Sequence, residues 1–113
     1  MKNICIVLDP AHGKEVPGKR SPDNSHREYS WSRERCRNLA IALRSLGYEV
    51  FFTNSTEYEI GLSKRQRNAL AVKTDKQKFL LSLHNDAAGS GTSWNNARGW
   101  SVWTTKGVTK LDE

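Results

Sequence analysis

Two short apolar runs, Ile4-Cys5-Ile6-Val7-Leu8 and Phe79-Leu80-Leu81-Ser82-Leu83, constrain the fold of this chain most tightly. Strands that are hydrophobic almost without alternation are buried on both faces, which in practice means a parallel sheet covered by helices. The sequence between them fits. From about Arg27 to Leu46, Tyr29, Cys36, Leu39, Ala40, Leu43 and Leu46 recur at three- and four-residue intervals with arginines opposite, which predicts a helix that Gly47 ends. Tyr48 to Thr53 reads as a second strand, and Asn54-Ser55-Thr56 as a turn. Ser63 is placed to cap a second helix running to about Val72, with Leu62, Ala69, Leu70 and Val72 available for burial. Lys78 to Leu83 is the third strand, Asp86 to Ala97 a loop rich in Gly, Ser and Asn, and Gly99 to Thr104 alternates as a fourth strand would. This order predicts an α/β fold with an open, mostly parallel twisted sheet flanked by helices. At 113 residues, with no internal repeat, the chain is read as a single domain, 1–113.

The chemistry-bearing residues fall at the ends of these elements. His12 follows the first apolar run, His84 follows the third strand, and Glu28 opens the long helix. In an open α/β sheet, strand C-termini and the N-termini of the following helices share one rim, where such sheets place their sites. Two imidazoles and one carboxylate there, with a position left for water, describe a catalytic zinc site rather than a closed structural one. Each residue alone has an ordinary use, and an acidic side chain in a first helical turn is favoured by the macrodipole in any case. His26 is a competitor for the carboxylate's place. The segment from Asp9 to Ser25 joins two of the candidates and holds all three prolines; loops of this length inside compact domains are usually functional.

Three local motifs decide among these options. Asp9-Pro10-Ala11-His12-Gly13 after the first strand, Glu28 at the start of the first long helix and Ser82-Leu83-His84-Asn85 after a later strand resemble those of the zinc-dependent N-acetylmuramoyl-L-alanine amidases of type 3. A partial match, Leu62-x-x-Arg65-x-x-x-Ala69, lies in the second helix; there the family usually continues with Asn and this chain has Leu70. The resemblance implies zinc held by His12, Glu28 and His84, with Glu28 rather than His26 as the carboxylate, and a substrate-binding role for Asn85. It also implies cleavage of the amide between N-acetylmuramic acid and L-alanine in peptidoglycan. The family's second catalytic glutamate is expected beyond Glu113, so the C-terminal part of the family fold is expected to be missing and the chain by itself to hydrolyse poorly. Self-association through an uncovered edge or apolar face is a further expectation. A non-catalytic zinc or wall-binding module, or another zinc peptidase of similar architecture, is the alternative.

Composition narrows the setting. The chain is 36% hydrophobic with a mean hydropathy of -0.71, and no segment approaches the roughly 20 apolar residues of a membrane span. Met1-Lys2-Asn3 leads into the first strand without the apolar core of a secretory signal, so a wall-directed action, periplasmic or extracellular, is expected to need release or export by other means, as for an endolysin. The net charge of +6 is scattered over the first loop and both helices without recognition-helix or zinc-finger spacing, which argues against nucleic acid and for anionic wall polymers. Cys5 and Cys36 lie on predicted apolar faces and read as buried free thiols. Trp94, Trp100 and Trp103 read first as packing residues, with stacking on sugar faces as the second use.

Overall fold

The computed structural model describes residues 3–104 and 106. Three strands, β1 (Ile4–Pro10), β2 (Glu49–Phe52) and β3 (Gln77–Leu83), alternate with two helices, α1 (Glu28–Ser45) and α2 (Leu62–Ala71). The sheet is parallel throughout, in the order β2-β1-β3, with Leu8 opposite Phe52 on one side and Leu81 on the other. β1 is therefore central, which is why its sequence runs hydrophobic on both faces.

The even-numbered face of β1 meets α1. Leu8, Cys36, Ala40 and Val50 form the buried cluster there, joined by Ile6, Leu39, Leu43, Phe52, Leu81 and Leu83. The stripe read from the sequence is thus the buried one, although Leu46, at the helix end, is exposed. α1 stops in a Schellman arrangement: Tyr48 N–H donates to Leu43 O and Gly47 N–H to Arg44 O, with Gly47 at φ 90°. Both cysteines are free and buried. Burial pushes the Cys36 thiol up to about 11, so it stays protonated and packs as a small hydrophobe.

The opposite face is held differently. α2 begins at Leu62 with Gly61, not Ser63, at its N-cap position, and Leu62 and Leu70 are exposed rather than buried. Its one buried residue is Arg65. Arg65 Nη1 donates to Asp9 Oδ2 at 3.0 Å, while Thr53 Oγ1 donates to Asp9 Oδ1 and Ser82 Oγ to Asp9 Oδ2, both at 2.6 Å. One buried carboxylate thereby joins β1, the end of β2, α2 and β3. Asn68 Nδ2 adds a bond to Thr53 O at 2.7 Å, so α2 docks through polar contacts where apolar burial was expected.

The expected fourth strand does not form: residues 99–104 carry no regular structure, and Trp100, Val102 and Trp103 are exposed. Alternation alone cannot make a strand, because a ladder requires pairing with another strand, and this segment pairs with none among the described residues.

Because Asp9 and Arg65 are both buried, removing one strands the other. Asp9→Ala is expected to cost about 3–5 kcal/mol in urea denaturation. Leu70→Ser, at an exposed position of α2, should stay within about 0.5 kcal/mol. The reverse ranking would show that α2 is held by its apolar side chains.

Candidate metal centre

The chain leaves β1 toward β2 on one side and returns from β2 to β3 on the other, so the topology switches between β1 and β3. This crevice at the strands' C-terminal ends is where open α/β sheets bind ligands. His12 and His84 stand on its two sides, just beyond Pro10 and Leu83, which are partners in register. Ala11 N–H donates to Leu83 O at 3.2 Å and carries the pairing one residue further toward the histidines.

Glu28, at the first position of α1, completes the group. Its Oε2 lies 3.6 Å from His12 Nε2 and its Oε1 3.4 Å from His84 Nδ1. The two rings are edge to face with centroids 5.1 Å apart, and one ligand atom from each of the three residues falls within 4.8 Å of the others. Glu28 is buried, His12 half-buried and His84 exposed, so the group opens to solvent on the His84 side.

Several contacts fix these candidate ligands. His12 adopts φ 53°, a left-handed conformation that costs free energy in a non-glycine residue and persists only where surroundings impose it. Those surroundings are visible: Ser32 Oγ and Arg33 Nη1 both donate to Ala11 O, at 3.0 and 3.1 Å, tying the residue before His12 to α1. On the other side, a Cβ on Gly13 would run into the backbone of Tyr58 and Glu59, so only glycine lets these segments touch. Asn85 N–H donates to Glu28 Oε1 at 2.7 Å, and Asn85 Oδ1 pairs with His26 Nε2 at 2.7 Å.

The electrostatics suit metal binding. Burial pushes the His12 imidazole below its ordinary value, only partly opposed by the Glu28 carboxylate, so the ring is neutral near pH 7 and its lone pair is free. Burial pushes Glu28 upward, but the His84 hydrogen bond, the Asn85 N–H and the two imidazoles outweigh it and keep the carboxylate ionised. Two nitrogen donors and one anionic oxygen, with an open side, fit a divalent metal of zinc's type.

The structure thus brings together the three residues expected from the sequence, with Asn85 beside them. His26 stays outside the group and instead orients Asn85. Sequence reasoning left Asp9, Arg65 and Ser82 without a role although each lies in a quoted motif; all three meet in the buried cluster beneath the histidines. Ser32 and Arg33 carried no sequence signal, since a serine and an arginine within an amphipathic helix look like solvated positions.

With this geometry in view, the comparisons with known proteins are decisive. The profile of the family described as N-acetylmuramoyl-L-alanine amidase matches residues 6–112. This chain belongs to that family. It is also 37% identical over 109 residues to the N-acetylmuramoyl-L-alanine amidase AmiC of Neisseria meningitidis serogroup B, covering 92% of this chain and 24% of the relative. The chain therefore spans about a quarter of the length of the curated relative it matches. No solved structure gives a significant match. Among the described residues, no helix is long and apolar enough to cross a membrane.

The pKa directions set a pH dependence for the metal-free protein. His12 is lowered in the fold, so its contribution is complete above the unfolded value of about 6.5 and is lost as pH falls toward the folded one. Glu28 is also lowered, and its contribution is lost below about pH 4.3 as pH falls through its folded value. Urea midpoints should fall in two steps on acidification. His12→Ala should flatten the upper step and Glu28→Gln the lower. A midpoint that rises between pH 7 and 4 would contradict this assignment.

Proposed function

We propose that this chain carries the zinc centre of a peptidoglycan amidase, an enzyme that hydrolyses the amide between N-acetylmuramic acid and L-alanine. The observation that carries this reading is the convergence of His12, Glu28 and His84 at the switch point of the sheet. Zinc held there would polarise the scissile carbonyl and bring the pKa of a bound water down toward roughly 7. The chain's own residues do the rest of the positioning. His12 offers a neutral imidazole, Glu28 an ionised carboxylate pinned by Asn85 N–H, and His84 the exposed side from which substrate approaches. Asn85, fixed between Glu28 and His26, is assigned to substrate contact.

The net charge of +6 favours approach to anionic wall polymers, and the exposed Trp94, Trp100 and Trp103 offer faces for sugar stacking. The site of action is the cell wall, periplasmic or extracellular, and the chemistry is that of an autolysin or endolysin. Nucleic acid has no place in this reading.

A second reading, a zinc or wall-binding module without turnover, is favoured by one observation. Hydrolysis also requires a base that takes the water's proton and passes it to the leaving amine. Among the described residues, Glu28 is the one carboxylate in the donor group.

Elemental analysis should find one zinc per chain, lost when His12→Ala and His84→Ala are combined. On the second reading the zinc-loaded chain should release stem peptides with free N-terminal L-alanine about 10²–10⁴-fold more slowly than the meningococcal relative, the factor a missing base removes. Unchanged zinc content in the double variant would remove the assigned site. Full turnover by the chain alone would place the base within it.

The outer edge of β3 has no partner among the described residues, and Phe79 and Leu80 are exposed on that strand. Such edges pair with other chains. Sedimentation at several concentrations should show concentration-dependent self-association of the chain, weakened by Leu80→Lys. A monodisperse monomer at high concentration would contradict it.

A further inference from the structure

The metal ligands occupy the β3 side of β1. On its β2 side, a cavity of about 420 Å³ opens between α1 and the segment that leaves β2. Phe52 gives it apolar surface, with the buried Pro10 and Cys36 behind, and Arg33 and Arg37, one helical turn apart on α1, give it positive charge. Glu57 also lines it, but that carboxylate is paired with Lys14.

Arg33 is the unusual member. It is only 9% exposed, and its bonded partners are all neutral carbonyls: Nε donates to Thr56 O at 2.8 Å, and Nη1 to Ala11 O and Tyr29 O at 3.1 and 3.2 Å. Its Nη2 is buried with no hydrogen-bond partner. Among the described residues, no carboxylate comes within ion-pair distance of this guanidinium, in contrast to Arg65, which has Asp9. Glu59 and Glu15 act on it only from further off, and a buried cation without a contact ion pair and with one hydrogen bond unmade is costly, a cost relieved when an anion arrives. A guanidinium fork matches a carboxylate, and the apolar lining favours an acid with a short aliphatic stem over a bare inorganic anion.

We propose that this cavity is a carboxylate-binding site, in which the guanidinium groups of Arg33 and Arg37 take the carboxylate of a small aliphatic acid and Phe52 receives its stem. Arg33 Nη1 also holds Ala11 O, so the occupant is joined through one side chain to the residue before His12. Stem peptides of the cell wall carry carboxylates of this kind, a source that rests on the function proposed above; the site itself does not.

The test is a titration of the metal-free chain with butyrate, and separately with inorganic phosphate, followed by the arginine Nε–H resonances in NMR. Butyrate should shift the Arg33 and Arg37 signals saturably. Arg37 is exposed and Arg37→Gln leaves the fold intact, so this variant should weaken binding by about tenfold, the loss of one charge-assisted contact. Arg33→Lys, which keeps the charge and loses the fork, should weaken it as well. Phosphate should bind more weakly than butyrate. Shifts that stay linear, that spread equally over the other arginines or that are indifferent to Arg37→Gln would overturn the site, and tighter binding of phosphate would overturn the aliphatic carboxylate. Neither metal nor turnover enters the readout, so failure of the zinc assignment and failure of this site are separate results.

Discussion

The buried carboxylate of Asp9 is the interaction on which the rest of this structure depends. It gathers Thr53, Arg65 and Ser82 on the face of the sheet that α1 does not cover, and so decides where α2 sits. The same carboxylate lies three residues before His12, and Ser82 two before His84. The network that fastens α2 thus also fixes the two strand ends that present the imidazoles. A hydrophobic helix face could have held α2 as firmly, but it would not have set the register of these ends through directional bonds.

The other face is organised around neutral contacts. α1 brings Cys36 and Ala40 onto Leu8 and Val50, and its first turn supplies Glu28 at the rim. Ser32 and Arg33, one turn further along, reach Ala11 O and hold His12 in its left-handed conformation. Glu28 is fixed in turn from β3's side by Asn85 N–H. His12 and Glu28 are therefore each tied to an element other than their own, the kind of support that would keep a metal site's geometry from relaxing.

Much of this was legible in the sequence. The near-continuous apolarity of Ile4 to Leu8 predicted a buried parallel strand, and the spacing of Cys36, Leu39, Ala40 and Leu43 predicted the face of α1 that packs, but the same reading of Phe79 to Leu83 failed because β3 is an edge strand with Phe79 and Leu80 exposed. The convergence of His12, Glu28 and His84 was legible because each stood at an element's end inside a recognisable local motif. The polar fastening was not, because Asp9, Arg65 and Ser82 are far apart in sequence and only the β2-β1-β3 order brings them together. α2 was misread for the same reason: Leu62 and Leu70 suggested an apolar seam, whereas the residue that goes inward is Arg65. Alternation over Gly99 to Thr104 suggested a strand, but strand formation is a property of pairs and a single segment cannot reveal its partner.

The central claim is that one metal ion is held by two imidazoles and a carboxylate at the β1/β3 switch point. X-ray absorption at the zinc edge of the zinc-loaded chain tests it most directly. The account predicts a four-coordinate shell of nitrogen and oxygen at about 2.0–2.2 Å, with the outer-shell scattering of two imidazoles and no sulfur. In the combined His12→Ala, His84→Ala variant the imidazole scattering should vanish. A sulfur shell near 2.3 Å, the distance of a thiolate ligand, or imidazole scattering that survives the double substitution would contradict it.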